Sequence, residues 1–452
     1  MGFLKYPSPE HHTGLPYLAD AFASHDTTKV TFIAMNRGKC DREWEKSDAF
    51  GNYDDPEYHR FLCVFHGDGI EKVFILSDYV YSTRPHDPAY IIQCKIPEQF
   101  RHLVQVNQEE TSLHVDLHAL EDLEKPTTTR RHIRVQESAE IDAGPRIENI
   151  PICHPASVHE TNNKDLPANS FKLIAYTPIK SHYNINADKS YNWTGWSSVD
   201  RIPEWLEYHK YQGFEHFIIY DNDPEPNGPI HEKLKPYIQS GLVSYRWYPL
   251  ENCMSNLFDR RMDEAQITGS LAAFHRIGYT AEYFSYHDGD EFFVPLAAKV
   301  PNGTSFAKKD TNRTVVELAD NIFQARPDVD YLEWRAYLMS PCNGANVTGG
   351  GSIVAKWDCR TDENYASVKL ILRTATMFYF CIHYAQLDKD GEEPKEYIIH
   401  DETEGYLAHY RVQNEPDGQK RDDYTGMIDL DEFRKVDYFH DFLETQKLKQ
   451  ER

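Results

Sequence analysis

The sequence predicts an α/β protein: a mixed, mostly parallel sheet flanked by helices and preceded by a small β-rich domain. Three observations carry this. From Phe171 to about residue 412, apolar runs of strand length alternate with segments whose apolar residues recur at helical spacing, and the links are short. Between residues 29 and 150, short strand-like runs follow one another with turn residues between them and no helical period. Between those two regions, residues 151–170 hold Pro151, Pro155 and Pro167 among several Asn and Ser, which suits a linker.

Residues 1–28, rich in His, Pro and Ala, read as an irregular lead-in. Strands are expected at 29–34, 60–65, 72–76, 89–95 and 132–135, and nothing in this domain looks catalytic. Beyond the linker, 171–176 is a strand. Residues 199–211 form a helix with Ile202, Trp205, Leu206 and His209 on one face, closed by Gly213. A strand at 214–220 ends in Asp221-Asn222. A short helix at 230–240 and a strand at 242–248 follow, then a helix at 262–277 closed by Gly278. Tyr283 to Tyr286 is a buried strand that runs into His287-Asp288-Gly289-Asp290-Glu291. Phe292 resumes the apolar run, which Pro295 stops. Residues 315–324 read as a helix, and 330–339, 367–374 and 377–384 as strands. The last segment, 413–452, is a charged, helical tail. The Gly-rich loop at 344–351 lacks the Gly-Lys-Ser/Thr ending of a phosphate-binding loop.

Lys and Arg number 48 against 72 Asp and Glu, a net charge of −24, which argues against a nucleic-acid partner and against an anionic membrane surface. No apolar run reaches the roughly 18–20 residues of a membrane-spanning helix, and neither a signal peptide nor a membrane anchor is visible. N-glycosylation triplets begin at Asn192, Asn302, Asn312 and Asn346, and support a secretory location. None of the eight cysteines forms a CxxC pair, so a zinc site is not expected. Cys63 with Cys94, and Cys342 with Cys359, are candidate disulfides if the protein is lumenal; reduced core cysteines are the alternative.

The chemistry concentrates at Asp288-Gly289-Asp290-Glu291. Carboxylates between two apolar runs sit at a strand end close to a core, where their burial is costly unless something neutralises them. A hard divalent cation, Mn²⁺ or Mg²⁺, does so and bridges carboxylates to phosphates. Gly289 lets a bulky ligand approach the backbone. Asp221 also falls at the carboxyl end of a strand, where ligands bind in such sheets.

Five blocks in order resemble glycosyltransferase family 92. They are Ile202-Pro-Glu-Trp-Leu-Glu-Tyr-His209 through Tyr220-Asp-Asn222; Leu234-Lys-Pro-Tyr-Ile-Gln-Ser-Gly-Leu-Val243; Tyr283 through Phe293; Lys369-Leu-Ile-Leu-Arg373 followed by His383-Tyr384; and Ala408-His-Tyr-Arg411. Arg60-Phe-Leu-Cys63 and Gln93-Cys-Lys-Ile-Pro97 resemble the family's preceding β-rich region more loosely. The resemblance implies a GT-A fold and transfer of a sugar, galactose, from a UDP-sugar onto a glycan with inversion. It implies that Asp290 binds Mn²⁺ or Mg²⁺ directly and that Asp288 contacts the ribose or the metal, with His383, or else His409, completing the shell. Asp221 would bind the nucleoside, and Lys369 and Arg373 the diphosphate; the alternatives are a turn cap for Asp221 and a solvated strand face for the two cations. Inversion needs a carboxylate base; Glu333 is the first candidate, with Asp358 and Glu291 as rivals. Trp334, Trp247 and Tyr337 either stack on sugars or fill the core. The stretch 270–275 lacks the family's usual cysteine and the segment after Trp334 lacks its Phe-Gly, which bears on the acceptor more than on the donor. Two rival functions stand beside this one: a glycan hydrolase, which needs two facing carboxylates, and a non-catalytic glycan-binding protein on a transferase scaffold, which has no use for a diphosphate clamp.

Overall fold

The computed structural model describes residues 17–35, 60–67, 69–77, 79–82, 89–104, 113–120, 146–155, 168–179, 184–186, 189–190, 198–221, 226–248, 262–296, 314–340, 354, 359–361, 364–389, 392–401, 403–410 and 433–435. The chain divides into two compact units. One comprises Met1–His159, Lys164–Leu166 and Leu250–Ile277; the other comprises Glu160–Asn163, Pro167–Pro249 and Gly278–Arg452. Among the described residues, no helix is long and apolar enough to cross a membrane.

The first unit is built from β1 (Tyr17–Ala23), β2 (Lys29–Met35), β3 (Arg60–Gly67), β4 (Ile70–Leu76), β5 (Tyr79–Ser82), β6 (Ala89–Lys95), the short α1 (Glu98–Arg101), β7 (His114–Leu120) and β8 (Arg146–Pro151). They form two antiparallel four-stranded sheets, ordered β1-β2-β6-β5 and β4-β3-β7-β8. Alternate residues such as Val30, Phe32, Phe61, Phe65, Ile92, Val115 and Leu117 turn into one shared core. The Cys63–Cys94 disulfide joins β3 to β6. Two expectations change here. The end of the lead-in, Tyr17–Ala23, is a strand, and β8 reaches the first residue of the expected linker. The strand expected at 132–135 lies outside the described residues.

The second unit opens with β9 (Phe171–Ile179) and the small hairpin β10 (Asn184–Asn186) and β11 (Lys189–Ser190). It continues with α2 (Ser198–Tyr211), β12 (His216–Asp221), α3 (Pro229–Gln239) and β13 (Val243–Trp247). The next helix, α4 (Met262–Ile277), belongs to the first unit and packs on β2, whereas the sequence suggested that it flanks the second sheet. The second unit resumes with β14 (Ala281–Tyr286), β15 (Glu291–Pro295), α5 (Val315–Ala325), β16 (Tyr331–Ser340), β17 (Cys359–Thr361), β18 (Tyr365–Arg373), β19 (Met377–Phe380), β20 (Ala385–Asp388), β21 (Glu396–Ile398), β22 (Gly405–His409) and β23 (Phe433–Lys435).

The large sheet runs β13-β12-β9-β14-β18-β16-β17-β23, with β21, β22 and β15 branching from β16. The pairs β13/β12, β12/β9 and β9/β14 are parallel, as strand–helix alternation predicts. All six residues of β12 are buried, as in a sheet covered on both faces. From β18 onward the pairing is mixed: β14/β18, β18/β16 and β15/β22 are antiparallel, while β22 and β21 run parallel to β16. The fold is therefore the mixed α/β type the sequence predicts. Gly213 ends α2 with φ +92, and a Cβ there would stand 3.0 Å from Val316. Within the expected helical tail, Phe433–Lys435 is instead a strand paired with β17; the rest of the tail lies outside the described residues.

Candidate functional site

The carboxylate turn between β14 and β15 is clamped from several sides. The His287 amide donates to Tyr176 O on β9 (3.3 Å). The Glu291 amide donates to Asp288 O (3.0 Å), and the Asp288 amide returns a bond to Glu291 Oε2 (2.8 Å). Helix α2 buttresses the turn through residues three and four apart, which share a face. Trp205 Nε1 donates to Glu291 O (3.0 Å), and the Tyr208 hydroxyl to Phe293 O (2.7 Å). Ile202 reaches Gly289, where a Cβ would come within 3.1 Å of its Cδ1.

His209, on the same helix face, extends the buttress. Its Nδ1 lies 2.9 Å from Trp205 O, which can only accept, so Nδ1 carries the proton. Its Nε2 then accepts from His287 Nε2 at 3.1 Å. His287 Nδ1 is left to accept from the Ser285 hydroxyl at 3.1 Å. Two neutral rings satisfy every contact in this chain. Burial works the same way, pushing His209 down to about 3 and holding His287 well below the ordinary histidine range. His287, adjacent to the acidic turn, is thus held as a neutral ring.

The charged groups lie on the other side of the turn. Lys369 on β18 is fully buried, with Nζ 2.7 Å from Asp288 Oδ2 and 3.2 Å from Glu291 Oε2. Burial opposes its charge, but the two carboxylates outweigh burial and hold the ammonium above its usual range. Burial likewise opposes the Asp288 anion, and the nearby ammonium prevails, pulling its pKa down. Glu291, only 1% exposed, is pushed up by burial and by its acidic neighbours against the pull of Lys369. One ammonium serves two carboxylates, and the deeper one is driven toward its neutral form. Among the described residues, nothing donates a hydrogen bond to Glu291 Oε1.

His409 stands opposite Glu291 in the β15/β22 register. Its Nε2 lies 3.8 Å from Asp290 Oδ2, and its Nδ1 3.9 Å from Glu291 Oε1, both too long for hydrogen bonds. The Tyr410 amide fixes the turn through Asp290 O (2.8 Å). Arg201 on α2, 7% exposed, feels the charges of Asp290 and Glu204. Sequence reading missed it, because an arginine before an apolar helix face looks like a solvated residue.

The remaining predicted residues scatter. Asp221 is fully buried at the end of β12 and accepts from the Tyr245 hydroxyl (2.8 Å). Beside it runs a row of rings, Tyr248, Tyr220, Tyr176 and Tyr286. Arg246 lies over Tyr220 and Tyr248, and Lys369 over Tyr286. His383 is exposed, with Nδ1 donating to Val368 O (2.8 Å). Arg373 lies at the far end of β18, opposite Tyr283, and donates to Val329 O and Phe323 O. Trp334 pairs with Lys369, so Glu333, one residue earlier, faces the other side of the sheet, with Glu396 and Arg335 as its charged neighbours. Trp334 and Tyr337 are core residues, and Trp247 packs against the same core. Asp358 and Cys342 lie outside the described residues.

Among the described residues, no three His, Cys, Asp or Glu side chains are gathered as a metal cage. Asp290 and His409 nevertheless present oxygen and nitrogen donors 3.8 Å apart and not bonded to each other. That suits a cation such as Mg²⁺ or Mn²⁺, which commonly takes one or two protein ligands and completes its shell with substrate phosphates and water.

A family model described as glycosyltransferase family 92 matches residues 194–450, over half of the chain. No curated protein matches it. Among solved structures, TarS 1-349 of S. aureus in complex with UDP is similar at 14% identity and a TM-score of 0.26, over 53% of this chain and 60% of that one. A second structure of TarS 1-349 shows 13% identity and a TM-score of 0.28, over 52% and 60%. The chain thus spans 60% of the length of each. A 4-diphosphocytidyl-2C-methyl-D-erythritol synthase from Anaerococcus prevotii shows 10% identity and a TM-score of 0.23, over 45% and 70%.

Proposed function

As the chain belongs to glycosyltransferase family 92, we propose that it moves a sugar, galactose, from a UDP-sugar onto a glycan acceptor with inversion. The observation that carries this reading is the acidic turn at the carboxyl end of a parallel strand, with Asp290 facing His409 across 3.8 Å. Asp290 and His409 would hold Mn²⁺ or Mg²⁺, which when bound neutralises the charge of the leaving diphosphate. Lys369 keeps Asp288 anionic and fixes its orientation. Arg201 adds positive charge beside Asp290. The neutral His209–His287 relay and Trp205 keep the turn from moving as the diphosphate leaves. Asp221 and the tyrosine row, all buried, would support the nucleoside subsite from beneath. The sugar and the inverting course follow from the family resemblance. A lumenal, secretory location belongs to the same proposal and draws on the Cys63–Cys94 bridge.

One observation favours a second reading. Lys369 already neutralises Asp288 without any metal, as suits a non-catalytic glycan-binding protein. Calorimetric titration of UDP separates the two. With Mn²⁺ the wild type is expected to bind in the micromolar range, and binding is expected to vanish with EDTA and in Asp290→Ala. No UDP binding under any condition would leave the glycan-binding reading as the better one.

A further inference from the structure

Among the described residues, two large apolar side chains stand exposed, Phe74 at 39% and Tyr384 at 41%. A single exposed ring is ordinary at a surface, so its place in the fold decides what it means. Tyr384 closes a hairpin. Strands β19 and β20 pair antiparallel, with Phe380 and Ala385 as their last partners. The Cys381 amide donates to Tyr384 O (2.8 Å) and shuts the tip Cys381-Ile382-His383-Tyr384. The base of the hairpin is core: Met377, Tyr379 and Phe380 are buried, and Phe380 meets the Phe284 ring of β14 at 5.8 Å. At the tip, His383 and Tyr384 emerge into solvent.

That tip is tied to the acidic turn. Strand β14 ends at Tyr286, opposite Leu370, so β18 outruns it, and Val368 and Lys369 lie alongside the turn that follows. From there Lys369 reaches Asp288 (2.7 Å), and Val368 O, one residue earlier, accepts from His383 Nδ1 (2.8 Å). A proton on His383 is felt at Asp288. Tyr384 follows at one Cα–Cα step, about 3.8 Å. An exposed aromatic ring therefore stands beside the acidic turn, on a backbone that two hydrogen bonds hold in place. Neither the cation site at Asp290 nor the nucleoside subsite has a use for it.

We propose that Tyr384 is the platform on which the acceptor sugar packs. This rests on the donor-site reading, in which a diphosphate is held at Asp290 and the group receiving its sugar arrives from solvent. The charged groups of the turn are met by the cation and the diphosphate, and give a neutral glycan little to hold. Tyr384 offers an apolar face with a hydroxyl at its edge. A pyranose matches both, since its C–H groups make one face apolar while hydroxyls rim the ring. The closed turn and the Val368 contact fix the backbone that carries the ring before the sugar arrives, which lowers the cost of ordering it.

The test uses the full chain with Mn²⁺ and UDP, and follows saturation-transfer NMR of methyl β-galactoside, methyl α-fucoside and methyl β-N-acetylglucosaminide. Glycerol, which has hydroxyls and no ring face, is the control. At least one sugar is expected to bind, with saturation strongest at the C–H protons of one ring face, while glycerol does not. Tyr384→Ala is expected to weaken that binding about tenfold or more, as the loss of an aromatic face implies. Tyr384→Phe is expected to keep it. Calorimetry should show UDP affinity in Tyr384→Ala within about twofold of wild type, since the ring serves the acceptor and not the donor. If Tyr384→Ala does not fold, Tyr384→Leu, apolar but without an aromatic face, gives the same reading. When the wild type binds UDP, three results overturn this proposal alone: no sugar binds, Tyr384→Ala binds sugar as wild type does, or it loses UDP along with sugar. If the wild type binds no UDP, the acceptor role falls together with the donor-site reading.

Discussion

Arg276 and Lys369 are both buried cations, one in each unit, and their surroundings differ in a way that separates structure from function. Arg276 on α4 holds Asp20 through two bonds, Nε at 2.7 Å and Nη2 at 2.6 Å. Its other donors reach Pro155 O and Ala21 O, and its face covers the Phe22 ring. One cation meets one carboxylate and the charges cancel. Lys369 faces two carboxylates, with Asp290 a third acid in the same turn. The Arg276 cluster needs nothing further. The Lys369 cluster sets three carboxyl groups against that ammonium and Arg201 near a solvent-reaching edge, since the Asp288 and Asp290 side chains keep 28% and 29% exposure. Such an arrangement is stable only at some cost and is suited to receiving another cation.

The largest expected effect breaks the closed pair. Asp20→Ala leaves Arg276 buried and uncompensated, and is expected to cost about 3–5 kcal/mol in urea unfolding. Arginine does not titrate in the accessible range, so the loss should stay flat between pH 5.5 and 8. Asp20→Leu combined with Arg276→Met should recover most of it, because an apolar pair carries no desolvation penalty.

Lys369→Met sharpens the contrast. It strips the cation from Asp288 and Glu291, and is expected to cost about 2–3 kcal/mol at pH 7.5. Here pH matters. Without the ammonium both folded-state carboxyl pKa values rise above their unfolded values, so the folded variant binds more protons, and its stability falls as pH rises. The deficit should therefore shrink toward pH 5.5. A deficit as flat as that of Asp20→Ala would show that Lys369 serves packing and not charge balance.

A third setting is the buried histidine with no cation at all. His209 and His216 are pushed down to about 3 and about 4 by burial; His216 sits between Gly241 O and the Ser244 hydroxyl. The unfolded chain takes up a proton below about 6.5 while the folded protein refuses it until far lower. Stability present above pH 6.5 is thus lost as pH falls, by about 1.4 kcal/mol per pH unit for each ring. Urea midpoints at pH 7.5, 6 and 5 read the slope, and His216→Asn should reduce it by one ring's share. An unchanged slope would place the acid sensitivity elsewhere.

These contrasts also mark what the sequence made legible. The parallel half of the sheet was readable because strands such as His216–Asp221 are continuous apolar runs between amphipathic helices. The acidic turn was readable because four polar residues interrupt an apolar stretch. Strand β1 was not, because Asp20 and its neighbouring alanines break the apolar alternation. Asp20 is neutralised by Arg276, 256 residues away. The same long-range dependence hid the destination of α4, whose pattern gives a helix and does not say which sheet it covers. At the site, spacing could not rank His409 against His383, nor place Lys369 on Asp288, because both follow from the register of β22 and β18. Strand register likewise decides the face of Glu333, where a one-residue step reverses the side chain.

The smallest expected effect concerns that residue. Glu333 is a half-buried carboxylate whose pKa is pushed up by burial and by Glu396, as a general base often requires, and it lies in the strand that pairs with Lys369. Its register nevertheless turns it away from Lys369 and the acidic turn. A positioned base contributes about 10²–10⁴-fold to rate, so Glu333→Gln distinguishes a raised pKa from a useful one. Turnover of UDP-galactose by Glu333→Gln is expected to stay within about twofold of wild type, well short of that range. A loss of a hundredfold or more, with UDP affinity unchanged, would mean that the acceptor approaches from the opposite face of the sheet. The Lys369 cluster would then hold the donor alone.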